Sequence, residues 1–192
     1  AGVTSTTVAK NPGTWPDTTS DGAGTNMLIG SATDYRQVAF DPDNGITMIM
    51  FKRSGSNNAT AVRAVKITTA GVMTLGSEGE LSNANFGNSS VCYAGQGRFV
   101  ATYGNTNGAM AFKVLTVNTG TLAITVTSDI LPGGSVPVES GANYPLRVIW
   151  HPATNKLCVF YVANGQNYYR LYYGTMNYGS NTIDNWHNTN YA

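Results

Sequence analysis

Charge is what this sequence has least of. Asp, Glu, Lys and Arg together make up 11% of its 192 residues, against about 25% in typical soluble domains. The eleven basic residues are scattered along the chain. A nucleic-acid binder shows a basic patch or stripe, so nucleic acid is excluded as an expected partner. No apolar run approaches the length of a membrane-crossing helix, which needs about 18 residues or more, and no membrane insertion is expected. No signal-like stretch follows Ala1, so the chain is expected to be a processed product or a portion of something longer.

Histidine and cysteine are almost as scarce. The two histidines, His151 and His187, are not paired at zinc-ligand spacing. No G-x-S-x-G pattern accompanies them, which argues against a Ser-His-Asp hydrolase. Cys92 and Cys158 each lie in an apolar run, Val91-Cys92-Tyr93 and Leu157-Cys158-Val159, where a free thiol acts as a small hydrophobe. They fall on non-equivalent strands of the repeat described below, so a disulfide between them is not expected. Glycosidase chemistry needs two carboxylates about 5 to 10 Å apart. Asp41, Asp129, Glu139 and Asp184 are the acids that could pair, yet no two share a repeat position. The segment Thr19–Thr25 approaches the Asp-box of sialidase propellers but has Ala23 for Gly and Asn26 for Trp. No catalytic residue, metal site or cofactor is expected, and the protein is read as a non-enzyme.

Thr, Asn, Ser and Gly fill the gap that charge leaves, beside a 42% apolar content. That content, rich in aromatic and β-branched residues, separates the chain from disordered sequences. Three segments superimpose: Tyr35–Phe51, Ser90–Tyr103 and Leu146–Tyr161. Each is a short apolar strand, a turn of Gly, Pro, Asn or Asp, and a second apolar strand ending in an aromatic. Phe40, Tyr93 and Trp150 occupy the same place, 53 and 57 residues apart, and periods of this size mark repeat architectures. Two more strands follow in each unit: Ala61–Ile67 and Val72–Leu75, then Ala109–Val117 and Leu122–Val126, then Tyr168–Tyr173 and a polar Thr182–Trp186. No 3.6-residue period runs for three turns, so no helix is expected.

Four antiparallel strands per unit predict an all-β, propeller-like array of about three units, residues 35–86, 87–139 and 140–192. A β-rich trimeric fibre domain is the alternative. Residues 1–34 form a Thr/Gly-rich segment that could supply part of a further blade, since Met27-Leu28-Ile29 is strand-like. The runs Ile46–Phe51 and Leu157–Tyr161 are apolar on both strand faces, as expected of strands packed between neighbouring units. With three units the ring is short of the usual four to eight blades. Neighbouring chains, the N-terminal segment or a longer parent chain would complete it.

Asp41-Pro42-Asp43-Asn44-Gly45 superficially resembles a calcium loop but lacks the twelve-residue ligand spread and closing Glu. It reads as a hairpin turn in which Asp caps its own backbone. The strongest bias is aromatic and C-terminal. Tyr161, Tyr168, Tyr169, Tyr172, Tyr173, Tyr178, Trp186 and Tyr191 crowd the last 32 residues. On a strand, Tyr168, Arg170 and Tyr172 share one face and Tyr169, Leu171 and Tyr173 the other. One face is core. The other presents rings and hydroxyls to a glycan or protein, or packs on a neighbouring subunit. Tyr168, Arg170, Tyr172, Tyr178 and Trp186 are the candidate ligand or interface residues.

The pattern Val38–Gly45, a strand ending in Phe51-Lys52, then a Gly/Ser/Asn loop and another strand, resembles a repeat of tailed-phage virion structural proteins, including tail-fibre-like and receptor-binding ones. The likeness covers residues 35–192. It is best in the first unit. Ala94–Gly97 replaces the Asp-Pro turn in the second, and His151 stands for Asp in the third. The resemblance implies propeller-like blades and a virion-surface or extracellular attachment protein that displays loops to a host surface. Its partners would be further copies of itself, other virion proteins or a host glycan, and it brings no catalytic residue. A carbohydrate-binding propeller lectin is the alternative function, and a glycosidase the third.

Overall fold

The computed structural model describes residues 32–53, 59–69, 71–82, 89–104, 109–132, 146–162 and 169–189. They form twelve strands: β1 (Ala32–Asp41), β2 (Ile46–Arg53), β3 (Thr60–Ile67), β4 (Met73–Ser82), β5 (Ser89–Tyr93), β6 (Arg98–Gly104), β7 (Met110–Val117), β8 (Ile124–Val126), β9 (Arg147–His151), β10 (Lys156–Val162), β11 (Tyr169–Asn177) and β12 (Thr182–Thr189). Strands β1 to β4, β5 to β8 and β9 to β12 make three separate four-stranded antiparallel meanders. The protein is a propeller-like array of three four-stranded units. Among the described residues the one helical element is the single 3₁₀ turn Pro152–Thr154.

Alternation along each strand builds the array. In β2, Ile46, Met48 and Met50 point toward the second sheet and join Phe99, Ala101, Tyr103 and Leu115 in one buried cluster. Ile49 and Phe51, one residue out of phase, sit on the opposite face with Ala61 and Val65. In β6 the phase repeats: Phe99 and Ala101 face the first sheet while Val100 faces the third, where it meets Leu157, Val159 and Tyr161. The first and second units thus each have a forward face that packs on the back face of the next, and burial on both faces explains the near-continuous apolar runs of β2 and β6.

Strands β1, β5 and β9 are the adjoining inner strands. A polar relay links them. The Gln37 Oε1 accepts from Ser90 Oγ at 2.5 Å and from the Val91 amide at 3.3 Å. The Ser90 Oγ in turn accepts from the Val148 amide at 3.0 Å. These side-chain oxygens satisfy inner-strand amides that no further ladder strand pairs, as buried backbone donors require.

Several sequence expectations shift in detail. Strand β4 runs on to Ser82 rather than ending at Leu75, and the polar segment from Thr182 is a full strand that reaches Thr189. Leu122 is not in a strand. It holds a left-handed backbone (φ 58°) and is buried in the first seam. The strand-like Met27-Leu28-Ile29 lies outside the described residues.

Both cysteines are free. Burial in the second seam pushes the Cys92 thiol up to about 12. The folded state therefore favours the protonated thiol. Its contribution to stability is complete below the unfolded value near 9 and is lost as pH rises from there toward 12. Cys92 is expected to resist iodoacetamide at pH 8.5 in the native protein and to react once urea unfolds it, as mass spectrometry of the alkylated peptide would read. Native-state alkylation at the rate of a free thiol would show the second seam to be open.

Candidate functional site

In an antiparallel meander the first and third turns lie at the same end. That end of the array carries Asp41–Gly45 from the first unit, Ala94–Gly97 from the second, and His151–Asn155 and Tyr178–Asn181 from the third. Between them lies a pocket of ≈ 540 Å³. The first unit contributes Pro42 and Asp43, the second Tyr93, Gly95 and Gln96, and the third Trp150, Pro152, Asn155 and Tyr178. All three units meet in one concavity.

Each wall is held by turn chemistry. Asp41 is buried, and its Oδ1 accepts from the amides of Asp43 (2.9 Å) and Asn44 (3.3 Å). This is the self-capped turn expected from the sequence. It leaves the Asp43 carboxylate free to reach the second unit, where its Oδ2 accepts from the Tyr93 hydroxyl at 2.6 Å. Tyr93 stands edge-on to Phe99 at 5.5 Å and to Trp150 at 6.2 Å. Desolvation, reinforced by the Asp43 hydrogen bond, pushes its phenol above the ordinary tyrosine range. Tyr93 is thus a neutral hydroxyl that has committed its proton to Asp43.

Asn155 is the keystone of the third unit. It closes the Pro152–Thr154 turn in a left-handed conformation (φ 51°), which Asn tolerates better than most residues. Its Nδ2 donates to the Met176 carbonyl at 2.8 Å, and its Oδ1 accepts from Trp150 Nε1 at 3.3 Å. The Tyr178 hydroxyl lies 2.6 Å from the Ala94 carbonyl oxygen and 3.1 Å from that same Oδ1, so it ties the third unit to the second. Gly95 (φ 84°) lets the backbone pass beside these rings, since a Cβ there would lie 2.7 Å from the Trp150 ring and 2.9 Å from the Tyr178 hydroxyl. The indole and two phenol rings are consequently fixed before any ligand arrives.

The sequence-derived candidates separate. Tyr178 lines the pocket. Tyr172 and Trp186 do not: they pack into the second seam, with Trp186 centred 4.7 Å from Phe112 of β7 and 6.2 Å from Tyr172. Arg170 is half-buried opposite Tyr161, and Tyr168 lies outside the described residues. The aromatic crowding of the third unit is mostly seam packing, because a sheet face that meets a neighbour needs large side chains to fill the gap. His151 stays in its turn, 3.1 Å from Thr154 Oγ1, and His187 stacks on Tyr173; neither lines the pocket. Among the described residues no three His, Cys, Asp or Glu side chains converge as metal ligands would.

Trp150, Tyr93, Asp43 and Asn155 are the pocket residues that reading the sequence missed. The signal was present in the equivalence of Phe40, Tyr93 and Trp150, each placed immediately before a first turn. Repeat geometry brings such positions to one end of the array.

No family model matches the chain, and no curated protein matches it. Solved structures similar to it include Aleuria aurantia lectin carrying an asparagine-to-glutamine mutation. In complex with Fucα1-6GlcNAc that lectin has a TM-score of 0.46 and 14% identity, covering 77% of this chain and 41% of the lectin. In complex with α-methyl-L-fucoside the values are 0.43 and 12%, covering 76% and 40%. The chain therefore spans about two-fifths of the length of these structures.

Proposed function

We propose that the protein is a non-catalytic glycan-binding module whose site is the pocket where the three units meet. The supporting observation is the fixed indole of Trp150, flanked by Tyr93 and Tyr178 and ringed by the side-chain oxygens of Asp43, Asn155 and Gln96. A pyranose offers an apolar C–H face to an aromatic ring and hydroxyls to polar side chains at its rim. A preformed site of this kind loses little ordering entropy on binding. The lining includes one carboxylate and no cation, so the ligand is a neutral sugar and not a sialylated, uronic or sulfated one. Asp43 is the lining's lone acid, which leaves the two-carboxylate requirement of a glycosidase unmet there.

A glycan-binding module serves attachment when its sugar sits on a cell surface, so the extracellular attachment role expected from the sequence is part of this proposal. A virion setting is proposed on the sequence resemblance alone.

Titration of the protein with neutral oligosaccharides, starting with fucosylated ones because the similar lectin structures hold them, tests the reading. The expected result is saturable quenching or shift of tryptophan fluorescence by at least one neutral glycan, and no response to its sialylated or sulfated counterpart. A glycan array on which no neutral sugar binds, or only anionic ones do, would overturn it.

A further inference from the structure

Hydrogen-bonding capacity in the pocket is unevenly spent. The Trp150 indole N–H goes to Asn155 Oδ1 at 3.3 Å, and that oxygen also lies 3.1 Å from the Tyr178 hydroxyl. The single Tyr178 proton goes to the Ala94 carbonyl at 2.6 Å. The Tyr93 proton is committed to Asp43 Oδ2, and its oxygen accepts from the Gly97 amide at 3.3 Å. These groups hold the walls together and have little left to offer a ligand. Two side chains differ. Asp43 is exposed, and its Oδ1 has no partner among the described residues. Gln96 is exposed as well, and there too its side-chain carboxamide is unpaired. Its turn is nonetheless fixed, because Arg98 Nη1 donates to the Gln96 carbonyl at 2.7 Å and Arg98 Nε to Asn181 Oδ1 at 3.0 Å. The turns of Asp43 and Gln96 adjoin: a Cβ on Gly97 would lie 3.7 Å from Asn44 Nδ2.

We infer that Asp43 and Gln96 are the residues that read the sugar, and that the ligand class is a pyranose with an unsubstituted pair of neighbouring hydroxyls. This rests on the glycan reading of the pocket. An ionised carboxylate only accepts, so Asp43 Oδ1 requires a proton from the ligand. A hydroxyl supplies one; an ether oxygen does not. A carboxamide both donates and accepts, so Gln96 engages the adjacent hydroxyl in either sense. The Trp150 ring meets the C–H face and is indifferent to substitution on the opposite edge. Hydrogen bonds to a charged group are the stronger kind, so Asp43 outweighs Gln96 in the selection.

Asp43→Asn is the deciding variant. The amides of this turn are capped by Asp41, so position 43 can change without opening it. The new carboxamide oxygen still accepts the Tyr93 proton, and its NH2 then faces the ligand, a donor where the acceptor stood. The probes are the methyl glycosides of fucose, galactose, glucose and mannose, each with its mono-O-methyl ethers, titrated by tryptophan fluorescence. Wild type is expected to bind at least one glycoside, and one of that glycoside's ethers about tenfold or more weakly. Asp43→Asn should bind the parent about tenfold more weakly, yet bind that ether as well as the parent or better, because an ether oxygen accepts from the NH2. Gln96→Ala should weaken the parent by only about a few-fold. A folding defect would lower parent and ether alike. Wild type that binds every ether as it binds the parent would overturn the inference, as would Asp43→Asn protein that keeps the wild-type preference; the glycan reading survives both. Binding of none of the glycosides also overturns the inference, and silence on a neutral glycan array overturns the glycan reading with it.

Discussion

Gly76→Ala is expected to lower the melting temperature by roughly 6 to 12 °C. Gly76 lies in β4 where that strand bulges against β3, between the pairs Arg63–Glu78 and Val65–Leu75. The chain of the second unit passes directly over it. A Cβ at this position would collide with the Leu122 carbonyl oxygen and lie 2.8 Å from Leu122 Cβ. Leu122 has no room to retreat. It is buried in the first seam, and its amide donates to the Asn118 carbonyl at 2.7 Å. The Asn118 side chain holds the same turn by accepting from the amides of Gly120 and Thr121, both at 3.0 Å. Relief must come from parting the two sheets, and overpacking of a dense core costs about 3 kcal/mol at the upper end of its usual range. At about 2 to 4 °C per kcal/mol for a chain of this size, the stated shift follows.

Gly45→Ala is the control. Gly45 has φ 65° and nothing within 4 Å of an added Cβ, so that variant carries backbone strain of about 1 to 2 kcal/mol without a steric clash. A scanning calorimeter should therefore rank Gly76→Ala well below Gly45→Ala, with wild type highest. Equal shifts would mean that the first seam is looser than its geometry.

The contrast between these two glycines shows what the sequence could and could not disclose. Asn44-Gly45 is a turn signal that any reader of the chain recognises, because the requirement for φ > 0 is local. Gly76 carries an equally strict requirement, but its cause sits 46 residues away in Leu122. Nothing near Gly76 in the sequence hints at it. The three units, their four strands and the two-sided burial of β2 were legible because alternation and period are local properties repeated three times. The strand from Thr182 read as polar, yet it folds because Ile183 and Trp186 reach the second seam while Asp184, Asn185, His187 and Asn188 are exposed. The site was half legible for the same reason. Tyr178 stood out by composition, whereas Trp150 joins Tyr93 and Asp43 only when three separate turns are brought to one end of the array. The apolar run of β10 implied two covered faces; its back face, Leu157, Val159 and Tyr161, is fully buried, while on the other face Val162 is buried and Phe160 exposed.

Trp150→Ala is expected to weaken glycan binding by about 30-fold or more, the loss of roughly 2 kcal/mol that marks a central aromatic anchor. The variant deletes the floor of the pocket but also an inter-unit contact, since Trp150 packs against the second seam and stands 6.2 Å from Tyr93. A drop in affinity alone would leave a folding defect in play. Gly95→Ala separates the two. It leaves every ring in the protein and adds one methyl, 2.7 Å from the indole and 2.9 Å from the Tyr178 hydroxyl. The indole must tilt, and Tyr178 must lengthen its 2.6 Å hydrogen bond to the Ala94 carbonyl, while the seam clusters stay filled. Calorimetric titration with a neutral oligosaccharide that binds the wild type should show about a tenfold or greater loss for Gly95→Ala, and the unliganded protein should show a shifted tryptophan emission. If Gly95→Ala binds as wild type does, the sugar does not rest on Trp150, because a ring displaced from below cannot offer the same face above.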